Sequence, residues 1–142
     1  MEPVNITEIK QHGSGRRVIK GAVYQHELIP TGNSGTWLQG HVTIQYHQIV
    51  KAFGEPHDNP QDGKVDADWK FKVKSKDPVL DGTIFTLYNY KNGHNYRQDG
   101  TPTQHITEWN IGGRDPNAVT ACLEALEERD AFYELDDAER GV

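Results

Sequence analysis

Cysteine, long apolar runs and basic surface stretches are all scarce in this chain. Cys122 is the single cysteine among 142 residues, which excludes an internal disulfide and a zinc cluster built from cysteines. Hydrophobic residues make up 35%, and no run approaches the roughly 18 apolar residues of a membrane span. The first residues lack the basic-then-apolar pattern of a signal peptide. These absences predict a cytoplasmic protein with no membrane partner.

The net charge of −6 comes from the end of the sequence. Residues 119–142 hold eight acidic and two basic side chains, whereas residues 1–118 hold thirteen of each and are neutral. A long nucleic acid requires a basic stripe on its partner, and this sequence has only a short one. Long nucleic acid is therefore disfavoured. A small anionic ligand needs only two or three basic side chains in one pocket, which this sequence can supply.

Residues 64–74 carry the clearest structural pattern in the chain. Hydrophobic side chains occupy every odd position from Val65 to Val73, and charged side chains occupy every even position. Strict alternation predicts a strand with one buried face and one face in water. Stretches rich in β-branched and aromatic residues predict further strands at 17–29, 36–42, 83–91 and 105–111.

Two helices are predicted from apolar spacing and end signals. The first begins after an N-cap at Thr43 and stops at Gly54, and the second begins at Asp115-Pro116 and fades near Tyr133. Their apolar faces consist of Tyr46, Ile49, Val50 and Phe53, and of Val119, Cys122, Leu123 and Leu126. The element order predicts an α+β fold, an antiparallel β-sheet with two helices in a single compact domain. Residues 1–16 are predicted to be loosely ordered, and residues 134–142 to form an acidic tail.

Catalytic and metal-binding motifs are missing from the sequence. The seven histidines form no HxxxH pair, and no HxH pair with a carboxylate in register. No Walker loop, GxGxxG fingerprint or GxSxG elbow is present. We therefore expect no enzyme activity, no cofactor and no metal.

Residues 85–92 (FTLYNYKN) combine aromatic, amide and cationic side chains. Alternation places apolar and polar side chains together on both faces of this strand. A strand with one buried face would have one apolar face, so we predict that part of this strand contacts a ligand. Nucleobases bind aromatic planes and amides, and phosphates bind arginine or lysine. The alternative is a sheet stabilised by aromatic cross-strand pairs. The candidate ligand-binding residues are Phe85, Tyr88, Asn89, Lys91, Asn92, Arg97, Trp109 and Arg114.

Residues 53–119 resemble a known family. The pattern runs FGEP, then KVDADW, then DGTIFTLYNYK, then EWNIGG and a helix. It is similar to the phage-encoded Thoeris anti-defence proteins of the first type, which are called sponges. The resemblance covers about half of the chain and leaves residues 1–42 unmatched.

The resemblance implies a non-enzymatic counter-defence function. Such proteins bind cyclic ADP-ribose isomers made by a bacterial TIR-domain enzyme, and some members hold cyclic di- or trinucleotides. The signal is sequestered, so the defence effector of the host is not activated. The resemblance also implies an antiparallel sheet with two helices and a homo-oligomer, a dimer or larger. It implies that Phe85 stacks on adenine, that Asn92 reads its edge and that Arg114 holds phosphate.

Two other functions are compatible with the sequence. The first is a protein-binding inhibitor or adaptor that acts through the acidic segment 124–139. The alternative view of that segment is a solvated helix face and tail. The second is a small hydrolase or lyase that acts on a nucleotide.

Removal of the acidic tail tests the first of these. We expect truncation after Tyr133 to leave ligand affinity unchanged or slightly higher, because the tail repels an anion and its field is screened beyond about 8–10 Å. Titration calorimetry on the truncated and full-length proteins measures this. If the truncated protein kept its fold but lost all counter-defence activity, the protein-binding function would be favoured.

Overall fold

The computed structural model describes residues 24–32, 35–57, 64–93, 96 and 98–132. The predicted loose start at 1–16, the first part of the predicted strand at 17–29, residue Arg97 and the acidic tail at 134–142 lie outside these described residues. None of the described helices is long and apolar enough to cross a membrane.

Five antiparallel strands form one sheet. They are β1 (His26–Pro30), β2 (Trp37–Thr43), β3 (Asp68–Ser75), β4 (Ile84–Tyr88) and β5 (Glu108–Gly113), in the spatial order β1-β3-β4-β5-β2. Within the described part of the chain, the first two strands, β1 and β2, therefore form the two opposite edges of this sheet. Strand β4, which holds two of the eight predicted ligand-binding residues, Phe85 and Tyr88, lies in the middle.

Among the described residues, two helices cover one face of the sheet. They are α1 (Tyr46–Phe53) and α2 (Asn117–Glu128), and a short 3-10 helix lies at Thr103–His105. The α+β prediction, an antiparallel sheet with two helices, is confirmed. Helix α2 packs mainly on β4 and β5.

The core lies between the helices and the odd-numbered side chains of β3 and β4. Trp69, Phe71, Phe85, Leu87 and Trp109 are almost completely buried there. Helix α2 faces them with small and medium side chains, namely Ala118, Ala121, Cys122, Ala125 and Leu126. The predicted burial of Cys122 is confirmed, and burial raises the pKa of its thiol.

The alternating segment differs from its prediction at one end. Ala67, Trp69, Phe71 and Val73 are buried as predicted. The regular strand, however, begins at Asp68 rather than Lys64 and extends to Ser75. Asp66 and Asp68, which were expected in water, are also buried. Alternation describes a regular strand, and the chain before Asp68 is held by side-chain hydrogen bonds instead.

The predicted start of the first helix is wrong by two residues. Thr43 remains in β2, where its hydroxyl donates to Glu108 over 3.1 Å. Gln45 is the N-cap, and the side chain of Gln48 accepts its backbone N–H at 2.9 Å. The predicted stop at Gly54 is confirmed, and its φ of 83° is a conformation that glycine adopts without strain.

The second helix begins one residue late and ends well before Tyr133. Asp115 accepts the N–H of Asn117 at 2.7 Å, although the N-cap position itself is Pro116. At the other end, Asp130 has a positive φ of 58°, and the N–H of Ala131 bonds to the carbonyl of Leu126 at 2.9 Å. This is a Schellman-type ending with aspartate in place of the usual glycine, which is why the sequence did not signal it.

Asn89 joins the end of β4 to the segment before β3. Its buried amide oxygen accepts the N–H groups of Asp66 at 2.7 Å and Ala67 at 3.1 Å. Its amide nitrogen donates to the Asp66 carboxylate and to the Asn92 side chain, both at 3.0 Å. An amide side chain has two donor and two acceptor positions, so this one is fully used.

Substitution of Asn89 tests this arrangement. We expect Asn89→Ala to lower the free energy of unfolding by roughly 3 kcal/mol, because it leaves two buried N–H groups and a buried carboxylate without their partner. Chemical denaturation measures the change. Gln104→Ala, at an exposed position of the 3-10 helix, is the matched control and should leave stability within about 0.5 kcal/mol. Equal stability of both variants would contradict the structural role of Asn89.

Candidate functional site

The sheet face opposite the helices is lined by the even-numbered side chains of β3 and β4. Cross-strand partners share a face. The pairing Asp68↔Tyr88↔Asn110↔His41 therefore forms one row that crosses the sheet from β3 to β2. We call this surface the open face, although Asp68 and Thr86 on it are only 7% and 4% exposed. It carries the one predicted ligand-binding residue of strand β4 that the helices do not cover, which is Tyr88.

The ring of Tyr88 lies against the backbone of β5. Gly112 makes this possible, since a Cβ atom there would come within 3.3 Å of Tyr88 Cε1 and would also collide with the hydroxyl of Thr86. The Tyr88 side chain also hydrogen-bonds the side chain of Asn110. An aromatic ring and an amide are thus held side by side on the open face.

Tyr88 remains a neutral phenol at ordinary pH. Partial burial raises its pKa, and nearby Tyr90 raises it further, whereas the hydrogen bond with Asn110 lowers it. The first cause is the largest, because a phenolate loses hydration when it is half-buried. The Tyr88 hydroxyl therefore keeps its proton and can donate it to an acceptor.

A cation lies between two exposed aromatic rings beyond the end of β4. Lys91 Nζ is 5.3 Å from the ring centroid of Tyr90 and 5.6 Å from that of Tyr96. Both rings are nearly half exposed, at 45% and 46%. Lys91 has a positive φ of 63°, and its N–H is anchored to the carbonyl of Lys64 at 2.7 Å. We call Tyr88, Tyr90, Lys91 and Tyr96 the tyrosine–lysine patch.

Asn92 adds an amide beside this patch. Its oxygen accepts a hydrogen bond from Asn89 at 3.0 Å, and its nitrogen donates to the carbonyl of Glu108 at 3.3 Å. These two bonds use half of the capacity of the amide. The side chain is half-buried, so its orientation is fixed while part of it reaches solvent.

Three predicted ligand-binding residues are inside the protein. Phe85 is fully buried, with its ring centroid 5.8 Å from Phe53 and 5.7 Å from Phe71. Trp109 is also buried and donates its indole N–H to the carbonyls of Ile44 and Ile106. Asn89 is used by the contacts described above. Phe85 lies on the face of β4 that the helices cover, and Asn89 follows the end of that strand.

The remaining predicted residues are not gathered at one point. Arg114 is exposed in the turn between β5 and α2. It is six residues beyond Glu108, to whose carbonyl Asn92 binds, and a strand spans about 20 Å over that length at ~3.4 Å per residue. Arg114 and Asn92 therefore lie at opposite ends of β5. Arg97 is outside the described residues.

A hydrogen-bonded Ser–His–Glu arrangement lies at the edge of the sheet. His26 Nδ1 is 2.8 Å from Ser75 Oγ, and His26 Nε2 is 2.8 Å from Glu124 Oε1. The imidazole is fully buried, and Ser75 Oγ also accepts the backbone N–H of Asp77 at 3.0 Å. A serine nucleophile needs an accessible oxygen beside donors for an oxyanion. Here the histidine instead fastens β1 to β3 and α2.

A groove of about 460 Å³ on the helix side is a second candidate ligand site among the described residues. It is lined by Leu28, Phe53, Phe71, Tyr24 and Arg129 among others. The guanidinium of Arg129 stacks on Tyr24 at 4.4 Å and donates to the carbonyls of His26 and Ala125. Burial lowers the pKa of Arg129, which reflects its place inside this packing. Two of its five N–H donors thus bind backbone carbonyls, and a Glu128 carboxylate oxygen lies 3.6 Å away.

Comparison with known proteins adds no identification. Neither a protein-family model nor a curated protein matches the sequence. In the part of the chain that the structure describes, no group of three or more histidine, cysteine or carboxylate side chains is arranged to hold a metal ion. The tyrosine–lysine patch rests on its geometry alone. The sequence included Tyr88 and Lys91 but missed Tyr90, Tyr96 and Asn110, although the run of aromatic and amide residues at 88–92 and Tyr96 could have indicated them.

The raised pKa of Tyr88 predicts its titration. We expect the Tyr88 phenol to ionise above its ordinary pKa of 10.0, and stability that depends on the neutral phenol to fall as the pH rises past that value. Tyrosinate absorbance against pH measures this. Tyr88→Phe should remove one tyrosine that ionises at high pH from the absorbance curve. Tyr46→Phe should remove a second one, because the pKa of Tyr46 is also raised. If the Tyr88→Phe curve lost an early component instead, Tyr88 would not be held as described.

Proposed function

We propose that this protein binds and sequesters, without cleaving it, a small cyclic nucleotide immune signal. A cyclic ADP-ribose isomer is the first candidate, and cyclic di- or trinucleotides are the second. In this proposal the protein is a phage counter-defence protein that keeps the signal from its effector in the host cell. The observation that carries the proposal is the tyrosine–lysine patch, with Lys91 between two exposed aromatic rings.

The chemistry of the patch fits a phosphate-bearing nucleotide. Exposed tyrosine rings offer planes on which any base stacks, and each stacked base contributes about 1–3 kcal/mol. Lys91 supplies a cation that is already held near those planes, and it binds phosphate as a point charge. The amides of Asn92 and Asn110 offer donors and acceptors to the edge of a base.

Sequestration demands high affinity. A signal held away from its effector requires roughly nanomolar binding, about −12 kcal/mol. One or two stacked bases and one or two charge-assisted bonds of about 1.5–3 kcal/mol each fall short of that total. Further contacts must therefore enclose the ligand. A homo-oligomer supplies them in this proposal, because a second copy of the chain adds its own side chains.

The separation of Arg114 from Asn92 means that a ligand contact by both residues requires a second copy of the chain. Both were expected to bind the same ligand, yet they lie at opposite ends of β5 within one chain. A second copy offers a way to bring an arginine to the patch. Arg114 is thus assigned to the phosphate of a ligand shared between two chains.

A protein-binding inhibitor that acts through the acidic segment has less support. Glu124 binds His26, and Glu128 accepts the backbone N–H groups of Gln25 and His26. These two acids hold β1 to α2. Glu128 is therefore buried in the fold, whereas the Glu124 side chain is still 45% exposed.

A capture experiment separates the three functions. The protein is incubated with each cyclic nucleotide, freed of unbound ligand and heated, and the supernatant is analysed by chromatography. Release of intact ligand is the expected result. Release of a cleaved product would identify an enzyme, and no captured nucleotide with any member of the panel would contradict sequestration.

Substitutions in the patch test its role. We expect Lys91→Gln and Tyr96→Ala each to weaken nucleotide binding about 5- to 150-fold, which corresponds to roughly 1–3 kcal/mol. Both side chains are exposed, so thermal stability should hardly change. Lys76→Gln, at an exposed lysine of the β3–β4 turn, is the matched charge control and should keep full affinity. Titration calorimetry beside thermal melts gives both quantities.

The buried Phe85 gives the opposite pattern. Phe85→Ala should lower the free energy of unfolding by about 3–5 kcal/mol, as expected for a core phenylalanine. Any loss of binding would then follow the loss of folded protein. Full affinity of both patch variants would place the ligand elsewhere on the molecule.

A further inference from the structure

The two edges of the sheet differ in how they are protected. Unpaired N–H and C=O groups on an edge strand can pair with another chain, and proteins prevent this with short strands, charges or proline. Strand β1 has these features: it spans five residues, exposes Glu27 and ends at Pro30. Within the described sheet, β1 is therefore a poor template for another strand.

Strand β2 has neither the charged side chains nor the proline of β1, although its pairing with β5 shifts register between Leu38 and Gly40. Its seven residues, WLQGHVT, include no formally charged side chain and no proline. Within the described residues it pairs with β5 on one side and forms the outer edge on the other. Trp37 and Leu38 at its start are 58% and 49% exposed, although tryptophan and leucine favour burial. An uncharged, partly apolar edge of this length is complementary to a second copy of itself.

We propose that two copies of this chain pair antiparallel along the outer edges of β2. Such pairing is two-fold symmetric, so the same patch serves both copies. It would join the two sheets into one of ten strands and cover Trp37 and Leu38. The cross-strand partners share a face, so the two open faces would lie on the same side.

Charge also favours β2 as the meeting point. Each chain has a net charge of −6, so two copies repel each other when acidic surfaces approach. Pairing along β2 buries no formal charge, since its titratable side chain is that of His41. Pairing along β1 would bring the exposed Glu27 of each copy to the interface.

The pairing completes the ligand surface, and this part rests on the proposed function. The row Tyr88–Asn110–His41 runs across the open face and stops where β2 ends the sheet. In the paired assembly the row continues onto the partner, which contributes its own His41 and Leu38. A nucleotide on the open face would then contact side chains from both chains.

The oligomeric state tests the pairing. Light scattering on the full chain should give at least twice the 16.0 kDa chain mass at micromolar concentration. Leu38→Glu and Trp37→Glu each place a charge on the paired edge and should at least halve that mass. Val79→Glu is the matched control, because Val79 is equally apolar and 67% exposed but lies in the β3–β4 turn. Thermal melts establish that each variant is folded.

Tryptophan fluorescence provides a second readout on the unmodified chain. Trp69 and Trp109 are fully buried, so Trp37 accounts for the solvent-accessible emission. Dilution of the protein should make this emission more accessible to acrylamide quenching as the pair dissociates. A monomeric wild-type chain, or an unchanged mass in both edge variants, would overturn the proposed pairing.

A separate binding measurement tests whether the β2 pairing contributes to the ligand site. Monomeric Leu38→Glu protein should bind the captured nucleotide at least tenfold more weakly than the Val79→Glu control. Equal affinity would overturn the shared site but leave the pairing standing. If the wild-type chain dimerises through β2 but captures no nucleotide, the proposed function fails and the interface does not.

Discussion

The close contact of α2 with the sheet is the constraint on which the rest of this structure depends. Gly113 at the end of β5 has no side chain, and a Cβ atom there would collide with that of Ala118 in α2. The helix can therefore pack close to the sheet, and its own side chains Ala121, Cys122 and Ala125 are completely buried at this contact. Every odd-numbered side chain of β4 is then enclosed by protein. Ligand chemistry is left to the other face and to the ends of the strands.

Much of the fold follows from local sequence patterns. Alternation at 67–73 and the apolar spacing at 46–53 identified a strand and a helix, because each of those segments buries one face. The errors in the predicted helix ends occur where residues other than the usual capping residues end the helix. Gln45 and Gln48 cap a helix that Thr43 was expected to begin, and Asp130 adopts the left-handed conformation usually taken by glycine.

The candidate site was less predictable, because it depends on the order of the strands in space. The sequence correctly separated the two faces of β4 but could not tell which of them the helices cover. Phe85 and Asn89 were therefore expected to meet a ligand and are instead buried. Asn110 and Gly112, which position Tyr88, come from a strand far along the chain. Their role follows from the β4–β5 register, which no local pattern specifies.

Substitutions at different positions of β4 are consequently subject to different selection. A change at Phe85, Leu87 or Asn89 alters the interior and is subject to selection for a folded protein. A change at Ile84 or Tyr88 alters a surface that is only partly covered. Neighbouring codons of one short strand thus separate the interior from the surface. A lineage of such proteins is therefore freest to vary this strand at the codons for Ile84 and Tyr88, while the codons for its buried residues, Thr86 included, remain almost fixed.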